Sequence, residues 1–135
     1  MNDKAHEFLH PKHWKPALGY SNGVAASGRM IFCGGLIGWN ADQEFETDDF
    51  VGQVAQVLRN IVAVLAEGGA RPEHLVRLTW YVTSKQDYLT NLRALGVIYR
   101  EILGRHYPAM ALVQVVALVE DRARVEIEAT AVVPQ

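Results

Sequence analysis

The sequence predicts an α+β fold: a single mixed β-sheet with two helices on one of its faces, in the order β-β-α-β-α-β-β. Three observations predict it. Two segments, Asp49–Leu65 and Tyr88–Ile102, repeat apolar residues at steps of three and four, the period of a helix with one buried stripe. Other segments are short, rich in β-branched residues and bounded by glycine or charged turns, as strands are. Each helix has a single apolar stripe to bury, so both belong on one face of one sheet.

Residues 1–19 read as an irregular arm of the single domain 1–135, because Pro11 and Pro16 forbid continuous helix; Trp14 is expected to anchor the arm. Val24–Ala26 and Met30–Cys33 are strand-like around Ser27-Gly28-Arg29, a hairpin-type turn. Gly34-Gly35 then marks a bulge or a close backbone approach, and Gly38–Gln43 a loop. Thr47 or Asp48 is placed to cap the first helix, whose stripe is Val51, Val54, Leu58, Ile61 and Leu65; Gly68-Gly69 ends it. Leu75–Val82 is a strand with Trp80 in the core. Ser84 caps a second helix with stripe Tyr88, Leu92, Leu95, Tyr99 and Ile102, ended by Gly104.

The last quarter, Tyr107 to Val133, reads as two strands joined by a charged turn. Alternation puts Arg124, Glu126, Glu128 and Thr130 on one face of the last strand and Val125, Ile127, Ala129 and Ala131 on the other. The strand before it would carry Met110, Leu112, Gln114, Val116 and Leu118 on the face the helices leave open. Such a face is too apolar for water and predicts self-association.

Composition narrows the function classes. Half of the 135 residues are hydrophobic and 21% are charged, as in an ordinary globular domain. A net charge of −2, with no clustering of Lys and Arg, argues against a nucleic-acid partner. Apolar runs such as Val113–Val119 are too short to span a bilayer, and the polar N-terminus has no secretory h-region; a cytoplasmic protein is expected. Cys33 is the single cysteine, so no internal disulfide forms. It lies in an apolar strand without a nearby His or Asp and reads as an inert thiol rather than a nucleophile. His6, His10 and His13 have helical metal-ligand spacing, but Pro11 interrupts them, so a solvated arm is the expectation and no metal or other cofactor is implied.

Several runs, in this order, resemble one family. They are Gly19-Tyr20-Ser21-Asn22-Gly23-Val24, the strand ending Cys33-Gly34-Gly35, the Asp49–Leu65 helix ending in AEGGA, the turn Tyr107-Pro108-Ala109, and above all Val125-Glu126-Ile127-Glu128-Ala129. Over residues 16–133 the chain resembles the Rid family of enamine/imine deaminases, also termed YjgF-like or L-PSP-type proteins. The resemblance implies a chorismate-mutase-like fold, and a homotrimer with a small-molecule cleft between each pair of neighbours. It also implies hydrolysis of 2-imino or 2-enamino acids to 2-keto acids and ammonia without a cofactor. By the same resemblance Tyr20 is the pocket tyrosine, Gly35 the backbone donor, and Glu126 the acid that positions or activates water.

The family's carboxylate-gripping arginine falls on Met110, and there the pattern breaks. A bidentate guanidinium–carboxylate contact is lost, at about 1.5–3 kcal/mol for each charge-assisted hydrogen bond. Leu112 makes the same wall more apolar. The expectation is a hydrolase with altered, less charged or more hydrophobic specificity, or one in which Arg29, Arg77, Arg105 or Arg124 takes over the grip. Trp39 would roof the same cleft.

Each site residue also has a plainer reading. Glu126 and Glu128 fit a solvated sheet face, and Tyr20 a packed aromatic. Three other functions remain open: a trimeric small-molecule binding module without chemistry, the endoribonuclease or translation-inhibitor activity attached to some relatives, and a ring-cleavage-pathway deaminase.

Overall fold

The computed structural model describes residues 5–135; the first four residues of the predicted arm lie outside the described residues. Its strands are β1 (Glu7–Leu9), β2 (Gly23–Ala25), β3 (Arg29–Ile37), β4 (Leu75–Val82), β5 (Ala109–Gln114) and β6 (Val125–Val133). Its helices are α1 (Phe50–Glu67), α2 (Lys85–Leu89) and α3 (Leu92–Leu103), with a 3-10 turn at Pro72–His74. The main sheet has the order β3-β6-β4-β5, and β1 pairs with β2 in a small separate ribbon. The α+β architecture read from the sequence is therefore the one observed.

The helix α1 packs on β3, β6 and α3. Its stripe Val54, Leu58, Ile61 and Leu65 is wholly buried, against Leu78, Val82, Val125, Ile127 and Ala129 of the sheet. This helix has the length and mean hydropathy (18 residues, 1.2) that a bilayer would accept, but its buried stripe is the centre of this core. The cap is Asp49, not Thr47 or Asp48: its carboxylate accepts from the Gly52 amide at 2.8 Å, while Thr47 accepts from the Asp49 amide. Gly69, at φ +77°, ends the helix as predicted.

Four expectations fail for identifiable reasons. Met110 and Leu112 do not lie on the open face. The strand β5 runs parallel to β4 with Met110 opposite Leu78 and Leu112 opposite Trp80, and those two partners are buried under the helices. Val116 and Leu118 follow the end of the strand at Gln114, and Val116 is fully exposed. Secondly, β5 and β6 are consecutive in sequence but not paired, since β4 sits between them. Periodicity gives a strand's faces but not its neighbours.

Thirdly, no hairpin forms at Ser27–Arg29. The strand β2 turns to β1 and β3 to β6. Gly28, at φ +146°, passes so close to the Val133 carbonyl that a Cβ there would sit 2.8 Å from its carbon. Fourthly, the second predicted helix is broken into α2 and α3. Thr90 and Asn91 at the break turn their side chains onto the Gln86 and Asp87 carbonyls, competing with the helical ladder.

The arm also differs from its prediction. Glu7–Leu9 is a strand, and Trp14 is 60% exposed rather than an anchor. His6 is buried, with Nε2 3.0 Å from the His74 carbonyl, so it is not solvated. The other attachment is Ser21, whose amide donates to the Pro108 carbonyl at 3.0 Å and whose hydroxyl donates to the Tyr107 carbonyl.

The open face of the sheet is formed by Met30 and Phe32 of β3, Glu126, Glu128 and Thr130 of β6, Tyr81 of β4 and Val113 of β5. Phe32 is 70% exposed and Met30 56%. An apolar face without a cover thus exists, but β3 supplies it rather than the Met110 strand.

Candidate functional site

The site is built around the edge strand β5. Pro108 cannot extend a helix, so the chain leaves Gly104 at φ +77° and enters β5 through the Tyr107-Pro108-Ala109 corner. Ser21 bridges to Ala109 as a short parallel extension of the sheet, which holds the preceding Tyr20 beside the strand. Met110 and Leu112, two residues apart, point to the same side, toward α3.

A groove of about 410 Å³ results, walled by Tyr20, Met110, Leu112, Trp80, Tyr88 and the exposed shoulder of α3. Tyr99 closes its far end, stacked on Tyr107 at 5.2 Å between ring centroids and 9° between planes. The Tyr99 hydroxyl donates to the His106 carbonyl at 2.5 Å, and burial raises its pKa far above the ordinary phenol range. Tyr99 is therefore a neutral, fixed wall.

Glu126 lies elsewhere. It pairs with Ile37 of β3 and Tyr81 of β4 on the open face of the sheet, the face opposite the groove. The register slips between Cys33 and Leu36, a bulge at the predicted Gly34-Gly35. That bulge brings the Gly35 backbone against the Glu126 carboxylate: a Cβ on Gly35 would lie 2.9 Å from the carboxylate carbon and closer still to an oxygen. Among the described residues no hydrogen bond or ion pair engages Glu126. Glu128, two residues on, is engaged: it accepts from the Tyr81 hydroxyl at 2.8 Å, and this bond raises the Tyr81 pKa. Glu128 is thus held by the neighbouring strand β4, while the Arg124 guanidinium lies 3.8 Å from Asp87.

Within one chain the residues named from the sequence thus fall into three places. Tyr20, Met110 and Leu112 share the groove. Gly35 and Glu126 meet on the opposite face. Trp39 does neither. It packs on Phe45 at 5.9 Å, with Arg122 stacked over Phe45, beside the 119–122 loop. It does not roof Met110 in this chain.

None of the four arginines proposed as substitutes lines the groove. Arg29 caps the Gly68 carbonyl, Arg124 faces Asp87, and Arg77 stands on the open face across from Thr130. Arg105 follows the end of α3 and is exposed. The arginine that does line it is Arg100 of α3. The sequence held a signal for it: Leu92, Gly96 and Arg100 recur at steps of four on one helical stripe.

Cys33 is buried, and burial pushes its thiol pKa up, against any nucleophilic role. Among the described residues no three of His, Cys, Asp or Glu are grouped to hold a metal.

Comparison with known proteins decides the kinship. The family model described as Endoribonuclease L-PSP matches residues 11–133. The chain belongs to the Rid/YjgF family. Among relatives, Protein DfrA of Myxococcus xanthus is 34% identical over 98% of this chain and 99% of its own length. A RutC family protein of Aquifex aeolicus is 33% identical over 70% of this chain and 72% of its own. Among solved structures, the conserved Rid-family protein YyfB of Yersinia pestis superposes with a TM-score of 0.84. It is 33% identical and covers 96% of this chain and 99% of that one. RidA of an Antarctic Psychrobacter superposes with a TM-score of 0.67 at 26% identity, over 94% of this chain and 99% of its own. Rid-family membership agrees with the resemblance carried by the closing strand.

Proposed function

We propose that this Rid-family chain is a cytoplasmic hydrolase of imine or enamine intermediates that releases ammonia, with specificity altered by Met110. The observation that carries the reading is the contrast between the two carboxylates of β6. Glu128 is tied to Tyr81, whereas Glu126 has no side-chain partner among the described residues and lies against the Gly35 backbone at the bulge.

A carboxylate so placed accepts a proton from water as the oxygen attacks the imine carbon. The carboxyl hands that proton to nitrogen, which completes the carbinolamine. The carboxylate then takes the carbinolamine hydroxyl proton and passes it to nitrogen as the C–N bond breaks, so that a carbonyl and ammonia leave. Tyr20 orients the substrate from the groove, and the Gly35 N–H steadies it from the open face.

Because groove and carboxylate lie on opposite faces of one sheet, one chain does not complete the site. The reading therefore includes a homotrimer that covers the Met30–Phe32 surface and sets the groove of one copy near Glu126 of the next.

The test is ammonia release from imines generated in situ by an amino-acid oxidase, comparing wild type with Glu126→Ala. Equal rates, or none with any imine, would remove the hydrolase reading. Light scattering on the eluting protein checks the trimer, and a stable monomer would refute it.

One observation favours a second reading, a trimeric binding module without chemistry: the groove wall is apolar where a carboxylate grip is expected. Ligand-dependent thermal stabilisation without ammonia release would select it.

A further inference from the structure

The groove is wide and aromatic. At about 410 Å³ it falls in the range of small-molecule pockets. Four tyrosines and Trp80 line it, and Met110 and Leu112 add two flexible or branched apolar walls. Such a surface gains little from a two- or three-carbon side chain. It gains from one large enough to displace water from the rings.

One charge stands in this apolar setting. Arg100 is the only charged side chain lining the groove among the described residues, and no carboxylate pairs with it there. Its guanidinium lies against Gly96, one turn earlier. A Cβ on Gly96 would sit 3.1 Å from Nη1 and 3.8 Å from Nη2 of Arg100, so the guanidinium lies over the space that the missing side chain leaves. A glycine inside a helix is less favourable than alanine. This helix carries it where the glycine lets a guanidinium lie down along the groove. A planar fork over an apolar floor is the arrangement that grips a carboxylate in two parallel hydrogen bonds.

We propose that Arg100 is the carboxylate-binding, specificity-determining residue of this chain, replacing from α3 the grip that Met110 cannot provide from β5. The substrate class is then a 2-imino acid with an aromatic or bulky aliphatic side chain, whose product is the matching 2-keto acid. The choice of a 2-imino acid rests on the hydrolase reading; the carboxylate grip does not.

Equilibrium binding tests it without turnover. Calorimetry on the intact oligomer would use phenylpyruvate, 2-oxobutyrate, and phenylacetone as the uncharged counterpart of the first. Phenylpyruvate should bind at least about tenfold more tightly than 2-oxobutyrate. In Arg100→Gln, phenylpyruvate should weaken by about ten- to a hundredfold while phenylacetone stays within about twofold. Arg100→Lys should restore part of the loss, since it returns the charge without the fork.

Unchanged phenylpyruvate binding in Arg100→Gln, equal binding of the two keto acids, or no binding at all would overturn the proposal. Its failure is separable from that of the hydrolase reading. Binding that depends on Arg100 with no ammonia release from any imine removes the hydrolase and leaves the grip. Turnover of the phenylalanine-derived imine with the same KM in Arg100→Gln does the reverse.

Discussion

Replacing Gly35 by alanine isolates the role given to Glu126. Alanine keeps the backbone N–H and the bulge, and φ at this residue does not require glycine. It adds one methyl, and that methyl would lie 2.9 Å from the Glu126 carboxylate carbon. Ordinary carbon–carbon contact is about 3.5–4.0 Å. The carboxylate must therefore retreat by about 1 Å, which it can do because it terminates a flexible side chain that no described residue holds. A displacement of about 1 Å at a catalytic group costs on the order of a hundredfold in rate.

The expected result is a fall in kcat/KM of about a hundredfold for ammonia release, with a melting temperature within a few degrees of wild type. The decisive arm is a double-mutant cycle. If Gly35→Ala acts only by displacing the carboxylate, it should change nothing further in a Glu126→Ala background. A Gly35→Ala enzyme with wild-type kinetics, or a loss that multiplies with that of Glu126→Ala, would refute the assignment of Glu126 as the water-positioning acid.

Other perturbations probe the remaining parts. Met110→Arg should raise kcat/KM on the imine of alanine by about tenfold or more, because β5 would then supply a second carboxylate fork in the groove; no gain would mean that the pocket has diverged beyond this residue. Gln53 is fully buried, donates to the Thr47 and Arg122 carbonyls at 3.1 and 3.0 Å, and accepts from the Arg124 amide at 2.8 Å, tying α1 to the start of the Glu126 strand. Gln53→Leu leaves those backbone groups unsatisfied and should lower stability by about 2–4 kcal/mol in urea unfolding. The His74 pKa is lowered, chiefly by burial, and its neutral Nδ1 accepts from the Arg71 amide at 3.0 Å. The unfolded chain therefore binds the proton more readily. The stability contributed by neutral His74 is present above the unfolded pKa of about 6.5 and is lost as pH falls from there toward the lower folded value. Thermal melts from pH 8 to 5 should show that decline in wild type and a flatter profile in His74→Gln.

Legibility followed the range of the forces involved. The stripe of α1, its glycine stop, the alternation of β6 and the bulge at Gly34-Gly35 all reflect local geometry, and each was readable from residues a few positions apart. The departure at Met110 was equally plain, since a thioether has no donors to offer a carboxylate. The side of the sheet that Met110 faces was not, because alternation gives two faces and only the pairing of β5 with β4 selects one. The missing hairpin at Gly28 has the same origin: β3 prefers β6, a hundred residues away in sequence.

The candidate site shows the division most clearly. The residue types are legible in the chain itself: an acid on a strand, a glycine pair able to approach it, a tyrosine in the Gly19–Val24 run, and no arginine at the usual corner. The pairing of distant segments selects which of them meet. It set Gly35 against Glu126, put Tyr20 and Met110 on the opposite face, moved Trp39 to Phe45, and brought Arg100 over Gly96 into the groove. The physical reason is that side-chain chemistry is a property of single residues. Proximity is set by strand pairing and by which helix stripe the core buries, and both are chosen by contacts between distant parts of the chain.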